Sequence, residues 1–121
     1  MMKRILVVED TWHNRKMLRD LLTRAGFEVL EAVNGEEGIA QAERHRPDLI
    51  LMDIQLPLVD GYDATRRIKA NPDLHHIPII AVTSYALAGD EAKTREAGCD
   101  GYVAKPFSPR NLLAKVQEYL A

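Results

Sequence analysis

Cysteine is nearly absent from this sequence. Cys99 stands alone among 121 residues, so no disulfide can form within the chain. Aromatic residues make up only 6% of it, which leaves core packing to aliphatic side chains. No apolar run approaches the roughly 20 residues that a membrane-crossing helix requires. The opening Met1-Met2-Lys3-Arg4-Ile5 also lacks the apolar stretch and cleavage pattern of a secretory signal. These absences point to a soluble protein in a reducing, cytoplasmic setting. An excess of one charge sign is missing too. Sixteen basic and eighteen acidic residues leave a formal charge of -2, with no general attraction to nucleic acid or to an anionic membrane. There is no internal repeat, low-complexity segment or Gly/Ser linker. Partner recognition must therefore come from local features.

What is present suits one compact domain over residues 1–121, with an apolar fraction of 46% and a charged fraction of 28%. Short apolar runs alternate with segments of helical period, the pattern of a parallel sheet flanked by helices, and five such units can be counted. Ile5-Leu6-Val7-Val8 reads as a strand buried on both faces and ends in Glu9-Asp10. Met17, Leu18, Leu21, Leu22 and Ala25 then recur at helical spacing, with Asn14 as candidate N-cap and Gly26 as the stop. Phe27 to Ala32 predicts a shorter strand, after which Asn34-Gly35 turns the chain into a helix opened by Glu36-Glu37.

Leu49-Ile50-Leu51-Met52 is a third apolar strand, ending in Asp53, and Pro57 with Gly61 shapes the loop before a helix over about residues 62–69. The fourth strand, Ile79 to Val82, ends in Thr83, and the fifth, Tyr102 to Ala104, ends in Lys105-Pro106. Between them a helix over Asp90 to Ala97 shows a thin apolar face of Ala92 and Ala97, so only light anchoring is expected. Ser108 as cap and Pro109 at the first helical position open the last helix, which packs through Leu112, Leu113, Val116 and Leu120. The fold class is α/β: a doubly wound, flavodoxin-like five-stranded parallel sheet.

In such a sheet, ligands bind beyond the carboxyl ends of the strands, where the strand order reverses. With the order 2-1-3-4-5, Glu9, Asp10, Asp53, Thr83 and Lys105 converge on one rim. Three carboxylates held together repel one another, and a bound cation or protonation of one of them relieves the strain. An oxygen-only set in a small open site favours Mg²⁺. Such an ion would offset the charge that keeps phosphate away from a carboxylate nucleophile, while Lys105 and the Thr83 hydroxyl could each meet a phosphoryl oxygen. The set describes phosphoryl transfer to an aspartate.

At this point the chain resembles the receiver domains of two-component response regulators from Lys3 to Leu120. The resemblance rests on Val8-Glu9-Asp10, Leu51-Met52-Asp53 through Pro57 with Asp60-Gly61, Ala81-Val82-Thr83, and Gly101-Tyr102 through Lys105-Pro106-Phe107. A narrower likeness, from His76-Ile77-Pro78 to Gly89-Asp90-Glu91, is to single-domain regulators of bacterial cell-division phosphorelays. The resemblance implies Asp53 as phosphoacceptor, and Asp10, Asp53 and the Gln55 main-chain carbonyl as Mg²⁺ ligands, with Glu9 acting on the ion directly or through water. It implies Thr83 and Tyr102 as a switch pair, a cis peptide between Lys105 and Pro106, and Gln55 with Tyr85 flanking the path of the water that ends the signal. The bulk of Tyr85 and the weak basicity of the Gln55 amide would then make self-dephosphorylation slow. Implied partners are a histidine kinase or histidine phosphotransfer protein as donor. A protein target would read the face of the fourth helix, fifth strand and fifth helix. The chain is expected to act as a monomer, without direct contact to nucleic acid or membrane.

Taken singly, several of these residues have plainer explanations. An acid after a strand is commonly a cap or a solvated loop charge, Tyr102 can be half-buried packing, and a lone lysine is usually a surface group. The adjacent His75-His76 have no third ligand near them in sequence and read as solvated. Cys99 reads as small packing, and Trp12 either shields the acidic rim or packs over it. Two enzyme-like or cofactor-binding rivals share parts of the pattern. A haloacid-dehalogenase-like phosphotransferase needs Asp-x-Asp after its strand, where this chain has Asp53-Ile54-Gln55. A flavodoxin needs a phosphate-binding loop after the first strand, where Glu9-Asp10 would repel a flavin phosphate.

Overall fold

The structure, a computed structural model, describes residues 2–83 and 90–120. Its elements run β1 (Arg4–Val8), α1 (Trp12–Arg24), β2 (Glu28–Ala32), α2 (Gly35–His45), β3 (Leu49–Asp53), α3 (Gly61–Ala70), β4 (Ile79–Thr83), α4 (Asp90–Ala97), β5 (Gly101–Ala104) and α5 (Pro109–Leu120). The strands form one parallel sheet in the order β2-β1-β3-β4-β5. No helix among the described residues is long and apolar enough to cross a membrane.

Continuous apolar strands sit at the centre because both of their faces are covered. β3 and β4 are buried throughout, whereas the edge strands β2 and β5 are largely half-exposed. Alternation along the central strands divides the core in two. Leu6, Val8, Ile50, Met52, Ile79 and Ala81 face α2 and α3 through Ala42, Ala64 and Ile68. Ile5, Val7, Leu49, Leu51, Ile80 and Val82 face α1 and α5 through Leu18, Leu22, Leu112 and Val116. Each fully buried aliphatic side chain contributes about 2 kcal/mol by leaving water. The two layers therefore hold the strands in fixed register, and the register places the rim.

The helix starts follow local chemistry. The Asn34 side chain accepts the Glu37 amide, the Asp60 carboxylate accepts that of Asp63, and the Ser108 hydroxyl accepts that of Asn111. α1 departs from the expected Asn14 cap and begins three residues earlier, with Thr11 in the N-cap position and its side chain not used as a cap. The Arg15 amide already donates to the Thr11 carbonyl at 2.9 Å, so the turn out of β1 closes straight into the helix. Gly26 ends α1 at φ +96, a left-handed conformation that favours glycine. Gly61 matters for another reason: a Cβ there would collide with the backbone of Asp53 and Ile54. Glycine thus lets α3 start directly against the end of β3.

α4 is anchored by a different pair from the one its sequence suggests. Among its described side chains Ala92 is exposed, and Thr94 and Ala97 are buried, because the helix meets α3 and β5 with that side.

Candidate active site

Parallel register brings the strand ends level. Val8 pairs with Met52, Asp53 with Val82, and Thr83 with Ala104, so Glu9 stands beside Asp53 and Lys105 follows one residue beyond Thr83. Carboxylate oxygens of Glu9, Asp10 and Asp53 all lie within 4.8 Å of one another. Glu9 and Asp53 are only 2% and 4% exposed, whereas Asp10 faces solvent. The Lys105 ammonium bridges the buried pair, 3.1 Å from Glu9 Oε1 and 3.5 Å from Asp53 Oδ2. The remaining oxygens accept backbone amides: Thr11 N–H donates to Glu9 Oε2 at 2.9 Å and Gln55 N–H to Asp53 Oδ1 at 3.1 Å.

These contacts divide the proton unequally. Burial pushes the Asp53 carboxyl up to about 6, and the negative charge of Glu9 adds to the shift against the opposing pull of Lys105. Burial would raise Glu9 as well, but the Thr11 amide and Lys105 outweigh it and hold that carboxyl below its ordinary value. Asp10 is raised by partial burial and then by Glu9. One lysine against three carboxylates leaves the cluster short of positive charge. An oxygen-only donor set with one open, solvent-facing member fits a hard divalent cation. The residues present therefore suit Mg²⁺.

The Asp53 shift has a measurable consequence. Between about pH 3.8 and about pH 6 the folded chain holds the Asp53 proton more tightly than the unfolded chain does. Stability due to this group therefore falls as pH rises through that window, and the full cost is felt above about pH 6. Without metal, Asp53→Asn should be more stable than the parent at neutral pH by up to about 3 kcal/mol, a shift of roughly two units at about 1.4 kcal/mol each. The gain should shrink toward about pH 4, while Glu9, Asp10 and Lys105 stay common to both proteins. Urea midpoints measured across this range check it, and a gain that does not depend on pH would contradict the burial of a charged Asp53.

Thr83 is buried at the end of β4, and its hydroxyl accepts the Gln55 side-chain amide at 3.1 Å. Gln55 therefore touches Asp53 with its main chain and Thr83 with its side chain. Tyr102 is half-buried on the edge strand β5, opposite Ala81. The Lys105–Pro106 peptide is cis. Tyr85 lies outside the described residues. Trp12, the first residue of α1, is 62% exposed. His75 and His76 are both exposed, and Cys99 is buried with its thiol against Thr65, where burial raises it.

Two features were not expected from sequence. Glu9, Lys105, Pro106 and Phe107 line a cavity of about 530 Å³ with Asn14, Met17 and Leu18 of α1. Arg15, one turn into α1, reaches back to the carbonyl of Glu9 at 3.0 Å and pairs with Glu31 of β2 at 3.3 Å.

Against known proteins, residues 5–117 match the family model described as the response regulator receiver domain. The chain is 45% identical to the polar-differentiation response regulator DivK of Brucella anthropi over 99% of this chain and 98% of that protein. Among solved structures it is similar to the receiver domain of sensor histidine kinase PA1611 from Pseudomonas aeruginosa, which has a magnesium ion coordinated in its active site cleft. That likeness has a TM-score of 0.93 and 39% identity, over 99% of this chain and 98% of that one. Vibrio cholerae chemotaxis protein CheY4 gives a TM-score of 0.93 at 28% identity, covering 98% of this chain and 99% of that one.

Proposed function

The chain belongs to the response regulator receiver family, and from that premise we propose that Asp53 accepts a phosphoryl group from the phosphohistidine of a histidine kinase or histidine phosphotransfer protein. The observation that carries this is the cluster itself: three carboxylates within 4.8 Å, with the Lys105 ammonium 3.5 Å from the buried Asp53. An ionised Asp53 oxygen attacks phosphorus, the P–N bond breaks, and the imidazole leaves with a proton from water. Glu9, Asp10, Asp53 and the Gln55 main-chain carbonyl would hold Mg²⁺, which when bound lowers the repulsion between the carboxylates and the incoming phosphoryl oxygens. Lys105, which spans Glu9 and Asp53, would exchange a carboxylate for a phosphoryl oxygen.

Thr83 would donate its hydroxyl proton to another phosphoryl oxygen while keeping the Gln55 amide on its lone pair. Its movement frees space for Tyr102, and the face of α4, β5 and α5 changes for a protein target. Gln55 and Tyr85 would set how long the group survives by limiting the approach of water. The name carried by the Brucella relatives extends the proposal to a part in polar differentiation.

Incubation with Mg²⁺ and acetyl phosphate, read by intact mass, tests the reading. One added phosphoryl group per chain, absent when Mg²⁺ is chelated, is expected, and a protein that stays unmodified would refute it. For the switch, Thr83→Ala should still take the group but leave the aromatic NMR signals of Tyr102 unmoved, whereas the parent shifts them. Equal shifts in both proteins would remove Thr83 from the relay.

A further inference from the structure

Arg15 does not touch the acceptor, yet its side chain is only 13% exposed and is held at both ends. Its Nε faces Glu31 Oε1 on the edge strand β2 at 3.3 Å, and its Nη1 donates to the Glu9 carbonyl at 3.0 Å, with the Asp10 carbonyl 3.5 Å away. Those carbonyls belong to the short turn that carries two of the three rim carboxylates. The same turn is fixed on its other side by the Glu9 amide donating to Ala32 and by Thr11 donating to the Glu9 side chain. Arg15 thus ties the turn to α1, and Glu31 ties Arg15 to β2.

We infer that Arg15 is a positioning residue for the metal site, holding the Glu9–Asp10 turn so that both carboxylates converge with Asp53, with Glu31 as its anchor. This rests on the proposed reading of the site as a Mg²⁺-dependent phosphoacceptor. Groups that orient metal ligands without binding the ion commonly change affinity about tenfold or more when removed. The planar guanidinium can serve the Glu31 carboxylate and the turn carbonyl together, which the point charge of a lysine cannot do in the same fixed geometry.

Positioning and simple electrostatics predict opposite signs. Deleting a cation beside an acidic cluster should, by Coulomb attraction alone, tighten binding of a second cation. Loss of positioning should loosen it. In Arg15→Ala, the dissociation constant for Mg²⁺, followed by Trp12 fluorescence well below the unfolding transition, should rise about tenfold, equivalent to about 1.4 kcal/mol. The rate of phosphorylation by acetyl phosphate should approach the parent's at saturating Mg²⁺, separating metal affinity from chemistry. Arg15→Lys should not restore affinity. Glu31→Gln, which keeps an acceptor for Nε, should stay near the parent, and Glu31→Ala should fall between the parent and Arg15→Ala.

A metal-free readout keeps the inference separable from the function it rests on. Amide exchange at Thr11, whose N–H meets Glu9 Oε2, should quicken in Arg15→Ala while the core amides of β3 stay protected. Unchanged exchange at Thr11, or unchanged or tighter Mg²⁺ binding in Arg15→Ala, would overturn the role given to Arg15. A parent protein that shows no Mg²⁺ response would overturn the reading of the site itself, and that failure would be visible before any variant is compared.

Discussion

Asp53→Asn should take up no phosphoryl group from acetyl phosphate or from a phosphohistidine donor, although it folds more stably than the parent in metal-free neutral buffer. The amide isostere keeps an oxygen to accept the Gln55 amide, and Lys105 keeps its closer partner Glu9. What the substitution would remove, on the proposed reading, is the nucleophile, because a neutral carboxamide cannot form the acyl phosphate under these conditions. The other two rim acids are poor replacements. Glu9 is engaged by Lys105 and the Thr11 amide, and Asp10 stands at the solvent edge, without an ion pair to Lys105 among the described contacts. Intact-mass labelling over time checks this, and incorporation by Asp53→Asn at the parent's rate would place the nucleophile elsewhere.

Asp10→Ala should act on a different term. It leaves Asp53, Lys105 and Thr83 in place but removes the exposed oxygen donor through which, on the proposed reading, the cluster would meet a solvated ion. Labelling should become insensitive to Mg²⁺ and fall to the slow rate the parent shows in chelator, a loss on the order of a hundredfold or more for a step helped by metal charge. Rate measured against Mg²⁺ concentration is the check. A curve for Asp10→Ala that overlays the parent's would exclude Asp10 as a ligand.

The sequence made the polar rim legible because parallel strands buried on both faces read as unbroken apolar runs, and each ended in a polar residue. Ile5 to Val8, Leu49 to Met52 and Ile79 to Val82 are strands where expected, and their register does the rest. Boundaries outside the sheet were harder. The start of α1 at Trp12 followed no side-chain cap, because the turn out of β1 closes on the Thr11 carbonyl, a main-chain contact with no residue signature. The buried side of α4 uses Thr94, whose methyl and hydroxyl do not register as apolar in a periodicity count. The Gln55–Thr83 and Arg15–Glu9 bonds span 28 and six residues and depend on where α1 and β4 pack, which no local pattern encodes.

The central claim is that the buried carboxylate at the end of β3 is the atom that receives phosphorus. The parent protein, labelled with acetyl phosphate and Mg²⁺, can be reduced with borohydride, which converts an aspartyl phosphate to homoserine, and then mapped by peptide mass spectrometry. The account predicts homoserine at position 53 alone, appearing only with both Mg²⁺ and phosphodonor. Modification at Glu9, Asp10 or a histidine, with Asp53 intact, would contradict it.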